Sequence, residues 1–222
     1  MHIHVNIKPP PLEDYHPPQG PLCVVHEDEA LLLVDKPSGL LSVPGKGAHL
    51  ADCLEARVRA AYPEALLIHR LDMDTSGLMV FARSPLAQRH LNWQFEKRTV
   101  HKRYQALVEG RVAGQAGFVD LPLIADWPNR PLQMVDFERG KPSLTHWSVL
   151  DRGRDWTRLD LRPKTGRSHQ LRVHCLAMGH RIVGDPFYGG DRSSRLMLHA
   201  HSLTLRHPIG GAWRIFECKV PF

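Results

Sequence analysis

His69-Arg70-Leu71-Asp72-Met73-Asp74-Thr75-Ser76-Gly77-Leu78-Met79-Val80 sets a short polar loop directly against an apolar run that continues to Ala82. The run reads as a buried strand. The loop carries Asp72, Asp74, Arg70 and His69. Such groups beside a core strand are costly unless they are paired or used. Gly77 allows the close backbone approach that the junction needs. By physics alone the stretch is a candidate site on a rigid element and nothing more specific.

Outward from it, Val24-Val25 and Leu31-Leu32-Leu33-Val34 read as paired strands around the acidic turn Glu27-Asp28-Glu29. Leu50, Cys53, Leu54, Val58 and Ala61 recur at helical spacing, with Arg57 and Arg59 outward and Pro63 ending the helix. Ser84-Pro85 is an N-cap and first helical residue, after which Leu86, His90, Leu91 and Phe95 line one face and Lys97-Arg98 close the helix. Val100 to Val108 alternates as a strand, with Lys102, Tyr104 and Ala106 on one side. Short strands follow over residues 118–150. Trp156 to Leu161 alternates with Leu159 and Leu161 inward and Arg158 outward, and Ser168 caps a helix running through Met178, which Gly179 ends. Leu196 to Leu205 and Trp213 to Phe216 are late strands. Strands and helices do not alternate regularly, so the expected class is α+β with a mixed, mostly antiparallel sheet flanked by helices and loops.

The chain has 222 residues, 42% of them hydrophobic, enough for one domain with a real core. A formal charge of +6 favours a polyanionic partner. Residues 1–21 hold six of the 18 prolines and read as an extended arm ahead of a single domain over residues 22–222. Cys23, Cys53, Cys175 and Cys218 lie far apart with no Cys-x-x-Cys, so the reading is free buried thiols in a reducing cytoplasm and no metal centre. No apolar run approaches the ~18 residues of a membrane span, and the start lacks the features of a signal peptide. Three rival chemistries fail on spacing. Gly39 to Lys46 has five residues between its glycines where a phosphate-binding loop needs about four, and Gly47 stands where that loop needs a Ser or Thr. His169 and His174 are wrongly spaced for two zinc ligands on one helical face. Lys164-Thr165-Gly166 lacks the companion motifs of a serine acyl enzyme.

The loop His-Arg-Leu-Asp-x-x-Thr-Ser-Gly-Leu resembles the catalytic loop of the RluA-type pseudouridine synthases. Further stretches agree in order: Lys36-Pro37-Ser38-Gly39-Leu40, then Lys102-Arg103-Tyr104-Gln105-Ala106-Leu107-Val108. Thr165-Gly166-Arg167-Ser168-His169-Gln170-Leu171-Arg172-Val173-His174 and Gly184-Asp185-Pro186-Phe187-Tyr188-Gly189 follow. Together they span most of residues 22–220. The segment Asp120-Leu121-Pro122-Leu123 through Asp126-Trp127-Pro128-Asn129-Arg130-Pro131 resembles the branch that modifies both 23S ribosomal RNA and tRNA. The 1–21 arm is too short for the S4 RNA-binding domain that some relatives carry, so target choice is expected from the catalytic domain.

The resemblance implies a cytoplasmic, monomeric enzyme without cofactor that isomerises uridine to pseudouridine in 23S rRNA and tRNA stem-loops. By position in the motif, Asp72 is the carboxylate that acts at the sugar, by attack at C1′ or by elimination to a glycal. Asp74 keeps a supporting or solvent-facing role. Arg167 is the guanidinium that pairs with Asp72 and keeps it ionised. Tyr104 stacks on the flipped base and takes or relays the C5 proton. Arg70 fills the gap left by the extruded base, and His69 orients the loop or binds phosphate. Arg103, Arg158, Arg162, Lys164, Arg172, Arg192 and Arg195 form a candidate phosphate-binding face. The rival from another class is a non-catalytic RNA-binding module or RNA chaperone, which needs the basic face but not Asp72.

Overall fold

A computed structural model describes residues 15–189 and 193–222, so most of the proline-rich arm and Arg192 lie outside the described residues. In chain order the strands and helices are β1 (Val24–Glu27), β2 (Leu31–Lys36), α1 (Leu54–Ala61), β3 (Leu66–Leu67), β4 (Ser76–Ala82), α2 (Pro85–Glu96) and β5 (His101–Glu109). Then come β6 (Ala116–Asp120), β7 (Leu123–Ala125), β8 (Gln133–Val135), β9 (Leu144–Arg152), β10 (Trp156–Pro163), α3 (Gln170–Ala177), β11 (Leu198–Arg206) and β12 (Trp213–Glu217). The fold is α+β with mixed, mostly antiparallel strand pairing, as the irregular order of elements suggests. No described helix is long and apolar enough to cross a membrane.

The residues group into two compact units. The first comprises the described residues up to Lys102 together with His199–Phe222. Here β4 is central and buried at all seven positions, which is why its sequence is an unbroken apolar run. It pairs antiparallel with β2, from Leu31↔Ala82 to Lys36↔Gly77, and parallel with β11 at Ser76↔His199 and Gly77↔Ala200. Strand β1 flanks β2 around the expected acidic turn, and β12 flanks β11. Gly77 has φ +117°, and a Cβ there would meet the Ala200 carbonyl oxygen at 2.3 Å, so only glycine fits the β4–β11 junction.

Helix α1 starts at Leu54 with Cys53 as its N-cap, while Leu50 belongs to a preceding 3-10 turn, Ala48–Leu50. Helix α2 is capped as the sequence indicates, with the Ser84 hydroxyl accepting from the Ala87 N–H and Pro85 in the first turn. Its buried face differs from the expected one. Leu86 is 70% exposed, and the helix instead buries Ala87, Leu91 and Gln94. Gln94 sets that phase: its side-chain nitrogen donates to the Arg206 carbonyl and its oxygen accepts from the Arg206 N–H, each at 2.8 Å. A polar side chain so paired is buried at little cost.

The second unit comprises Arg103–Leu198. Its strands run in the order β5-β10-β9-β6, all antiparallel, and β7-β8 form a separate two-stranded ribbon. Ala106, Val108, Trp147, Leu159, Leu161, Leu171 and Ile182 build its core. Asp160, the polar member of the inward run on β10, is also buried. Ser168 does not cap α3. His169 holds the cap position in the left-handed region, φ +51°, and makes no side-chain capping bond. The turn is closed instead by Gln170, whose side-chain oxygen accepts from the Thr165 hydroxyl at 2.7 Å and the Arg167 N–H at 3.0 Å. Gly179, φ +80°, follows the helix end as expected.

Two sequence readings are corrected here. Cys53 and Cys175 are buried free thiols, but Cys23 is exposed and Cys218 only half-buried. Arg172 does not face phosphate: it is 1% exposed and grips Asp185 in a fork, Nε to Oδ2 at 2.8 Å and a terminal nitrogen to Oδ1 at 2.6 Å. Its guanidinium also lies over the Phe187 ring, 4.7 Å from the centroid. Asp185 in turn accepts the N–H groups of Phe187 and Tyr188. Arg172→Gln strands the Asp185 charge in the core, and we expect a loss of about 3–5 kcal/mol of unfolding free energy, read from urea denaturation. Wild-type stability in that variant would remove the core role of the pair.

Candidate active site

The loop from His69 to Thr75 lies between β3 and β4 in the first unit. Its backbone is held at Leu71, Met73 and Asp74 by the end of β2 and the stretch that follows it. The Ser42 hydroxyl donates to the Leu71 carbonyl at 2.6 Å and accepts from the Leu71 N–H at 3.1 Å. The Met73 carbonyl accepts from the Gly39 N–H at 3.0 Å and from Lys36 Nζ at 2.7 Å. The Ser38 hydroxyl donates to the Asp74 carbonyl at 2.6 Å. Between these anchors the chain turns tightly, with the Thr75 N–H donating to the Asp72 carbonyl at 3.2 Å. The Asp72 side chain is half-buried on this turn.

Lys36 was legible only as part of a turn and a motif. It is fully buried, and its ammonium donates to the carbonyls of Pro37 at 2.9 Å, Leu40 at 2.7 Å and Met73 at 2.7 Å. Three donors meet three acceptors, which matches the capacity of an ammonium. Lys36, Ser38 and Ser42 hold the loop backbone, a role the sequence reading did not give them. The available signal was a lysine ending an otherwise buried strand.

His69 orients the loop. Its Nε2 accepts the Val80 N–H at 3.1 Å, and its ring stacks on Phe95 with centroids 4.8 Å apart. Burial, helped by the positive charge of Lys102, pushes its pKa down to about 3. With Nε2 accepting from backbone, the neutral ring carries its proton on Nδ1. Arg70, the next residue, is exposed.

The other sequence-derived residues belong to the second unit. Tyr104 is half-buried on β5, opposite Leu161 of β10. Arg103 is exposed, and its Nε binds Asp160 Oδ1 at 3.1 Å, while Arg162 Nε reaches Asp160 Oδ2 at 3.4 Å. One buried carboxylate thus fixes two arginines at the surface. Lys164 is exposed in the turn after β10. Arg167 is half-buried just before α3, with Nε donating to the Pro142 carbonyl at 3.4 Å. Arg195 Nε donates to the Leu196 carbonyl at 3.2 Å. His174, excluded above as a zinc ligand, is buried between the Leu121 carbonyl and the Thr145 hydroxyl, and burial lowers its pKa to about 4.

A family model described as RNA pseudouridylate synthase matches residues 30–177. The dual-specificity RNA pseudouridine synthase RluA of Escherichia coli (strain K12) is 47% identical over 217 residues, covering 95% of this chain and 99% of that protein. The protein of the same name from Pasteurella multocida (strain Pm70) is 49% identical with the same coverage. Among solved structures, human RNA pseudouridylate synthase domain containing 1 superimposes with a TM-score of 0.77 at 31% identity, covering 93% of this chain and 87% of that one.

Two histidines, His69 and the buried His174, make stability fall in acid. Each has a folded pKa below its ordinary 6.5, at about 3 for His69 and about 4 for His174, so the unfolded chain takes up protons first. Their contribution is intact above pH ~6.5 and is lost as pH falls from there toward the folded values. We expect denaturation at pH 5 to show a loss on the order of 1–2 kcal/mol per histidine relative to pH 7.5. His69→Gln keeps an acceptor for Val80 and is expected to flatten that dependence; an unchanged slope would contradict the neutral His69.

Proposed function

Because the chain belongs to the RNA pseudouridylate synthase family and isomerises uridine in RNA, we propose that Asp72 is the carboxylate that acts on the sugar of the target uridine. The clamped turn carries this reading. A carboxylate must be held within a fraction of an ångström to meet C1′, and the carbonyls on either side of Asp72 are each fixed by a hydrogen bond. In the reaction the N1–C1′ bond breaks, the uracil turns, and C5 joins C1′. The C5 proton then leaves and N1 ends protonated, so substrate and product are isomers. A carboxylate suits the task because it stabilises or captures an electron-poor C1′ without a metal or redox partner.

Around Asp72 the proposed roles follow the motif. Arg167 is proposed as the guanidinium that recognises a carboxylate, as the motif implies. Tyr104 stacks on the uracil and relays the C5 proton. Arg70, already exposed, fills the stack vacated by the flipped base. Arg103 and Lys164 bind phosphate; the anchoring of Arg103 by Asp160 leaves its terminal nitrogens on a pre-set side chain that loses less freedom on binding. Arg172 has no part in RNA contact.

The proposed substrates are stem-loops of 23S rRNA and tRNA. Support comes from the name dual-specificity RNA pseudouridine synthase borne by the relatives and from the resemblance of the Asp120–Pro131 segment to that branch. The enzyme acts as a cytoplasmic monomer in this reading.

Asp72→Asn is expected to abolish tritium release from C5-labelled uridine RNA while keeping RNA affinity. Turnover at the wild-type rate would take Asp72 out of the mechanism, and loss of RNA affinity alone would favour a binding module. Arg70→Ala is expected to slow turnover on a structured stem-loop more than on an RNA whose target uridine is already unstacked. Equal slowing on both would refute the gap-filling role.

A further inference from the structure

Behind the active-site loop, Asp35 of β2, His199 of β11 and Cys218 just past β12 converge in the first unit. One carboxylate oxygen, one ring nitrogen and the thiol sulfur all lie within 4.8 Å of one another. His199 Nε2 is 3.1 Å from Cys218 Sγ, and its Nδ1 is 2.7 Å from the Ser76 hydroxyl. None of the three side chains has a part in the proposed isomerisation.

Donor type, spacing and second-layer support fit a metal. Carboxylate, imidazole and thiolate are the ligand set of borderline-soft divalent ions, zinc above all. Zinc bonds of ~2.0–2.3 Å set the edges of its ligand tetrahedron at about 3.5 Å, so the three atoms need only small side-chain rotations to enclose an ion. A metal-bound imidazole normally gives its other N–H to a fixed acceptor, which holds the ring and its tautomer. The Ser76 oxygen is placed for that at 2.7 Å from Nδ1; in the tautomer protonated at Nδ1, Nε2 is an acceptor and faces Cys218 Sγ at 3.1 Å. His199 is 1% exposed, while Asp35 and Cys218 are only half-buried, so the ring is held in the core and the site stays open to ions from solvent. Three protein ligands and one solvent position make up a common zinc arrangement.

We propose that Asp35, His199 and Cys218 form a binding site for a zinc-class divalent ion. Binding converts the Cys218 thiol to a thiolate with release of its proton to solvent, and the fourth position is taken by water. The site reaches Ser76, the first residue of β4, which directly follows the loop that presents Asp72.

Titration of the purified full-length chain with Co²⁺, followed by its thiolate-to-cobalt charge-transfer absorption, tests the site. The expected result is a single ion per chain, displaced by Zn²⁺. Cys218→Ser is expected to remove the band, and Asp35→Asn to weaken binding by about tenfold or more. Cys175→Ser, which alters a buried thiol of the other unit, is expected to leave it unchanged. Circular dichroism shows whether each variant is folded, and Asp35→Asn, at a half-buried position, keeps the test open where Cys218→Ser unfolds. No charge-transfer band with excess Co²⁺, a band that survives in folded Cys218→Ser, or wild-type affinity in Asp35→Asn would each overturn the site. Tritium release is measured separately, so failure here leaves the isomerase reading standing.

Discussion

The buried ammonium of Lys36 is the constraint on which the active-site loop depends. Removing a full charge from water costs several kcal/mol unless its donors are satisfied. Here Pro37, Leu40 and Met73 offer carbonyls at hydrogen-bond distance, and hydrogen bonds to charged groups contribute about 1.5–3 kcal/mol each. Two of these carbonyls belong to the turn after β2 and the third to the catalytic loop, so one cation fastens two segments far apart in sequence. Ser38, Gly39 and Ser42 extend the same seam. The loop therefore gains much of its shape from a neighbouring turn, beside its own Asp72–Thr75 bond.

That division explains what could be read from the chain and what could not. Apolar periodicity located β2, β4, β5 and β10, because it records which backbone faces leave water. Local capping chemistry located the start of α2 at Ser84-Pro85, because the signal lies within a few residues. Where a polar side chain was buried, the same logic misled. Gln94 outweighed Leu86 in setting the phase of α2 because its amide completes backbone bonds at Arg206, more than a hundred residues away in sequence. His169 in the left-handed region displaced Ser168 from the cap of α3 because Gln170 closes the turn. A pattern scored on hydropathy has no access to a partner contributed by distant chain.

The candidate site shows the same split among its arginines. Composition treats Arg70, Arg103, Arg162 and Arg172 alike. The structure sorts them by what carboxylate each finds. Arg172 meets Asp185 inside the core, and the fork is consumed there. Arg103 and Arg162 share Asp160, itself buried, so their heads stay at the surface on a fixed base. Motif agreement marked Arg172 and Arg103 alike, yet one is spent in the core and the other stays exposed.

His69 and Arg70 complete the logic of the loop. Adjacent residues point to opposite environments, so one sequence step separates scaffold from surface. His69 could have been a second cation near Asp72, but burial against Phe95 holds it neutral well below physiological pH. A charged ring would lose its bond to the Val80 N–H, because Nε2 would become a donor facing a donor. The neutral form is thus required for the junction between loop and β4. Positive charge in the loop comes instead from Arg70, which is exposed. The loop thus keeps its junction with β4 through a ring that accepts from backbone, while the next side chain, Arg70, stays at the surface.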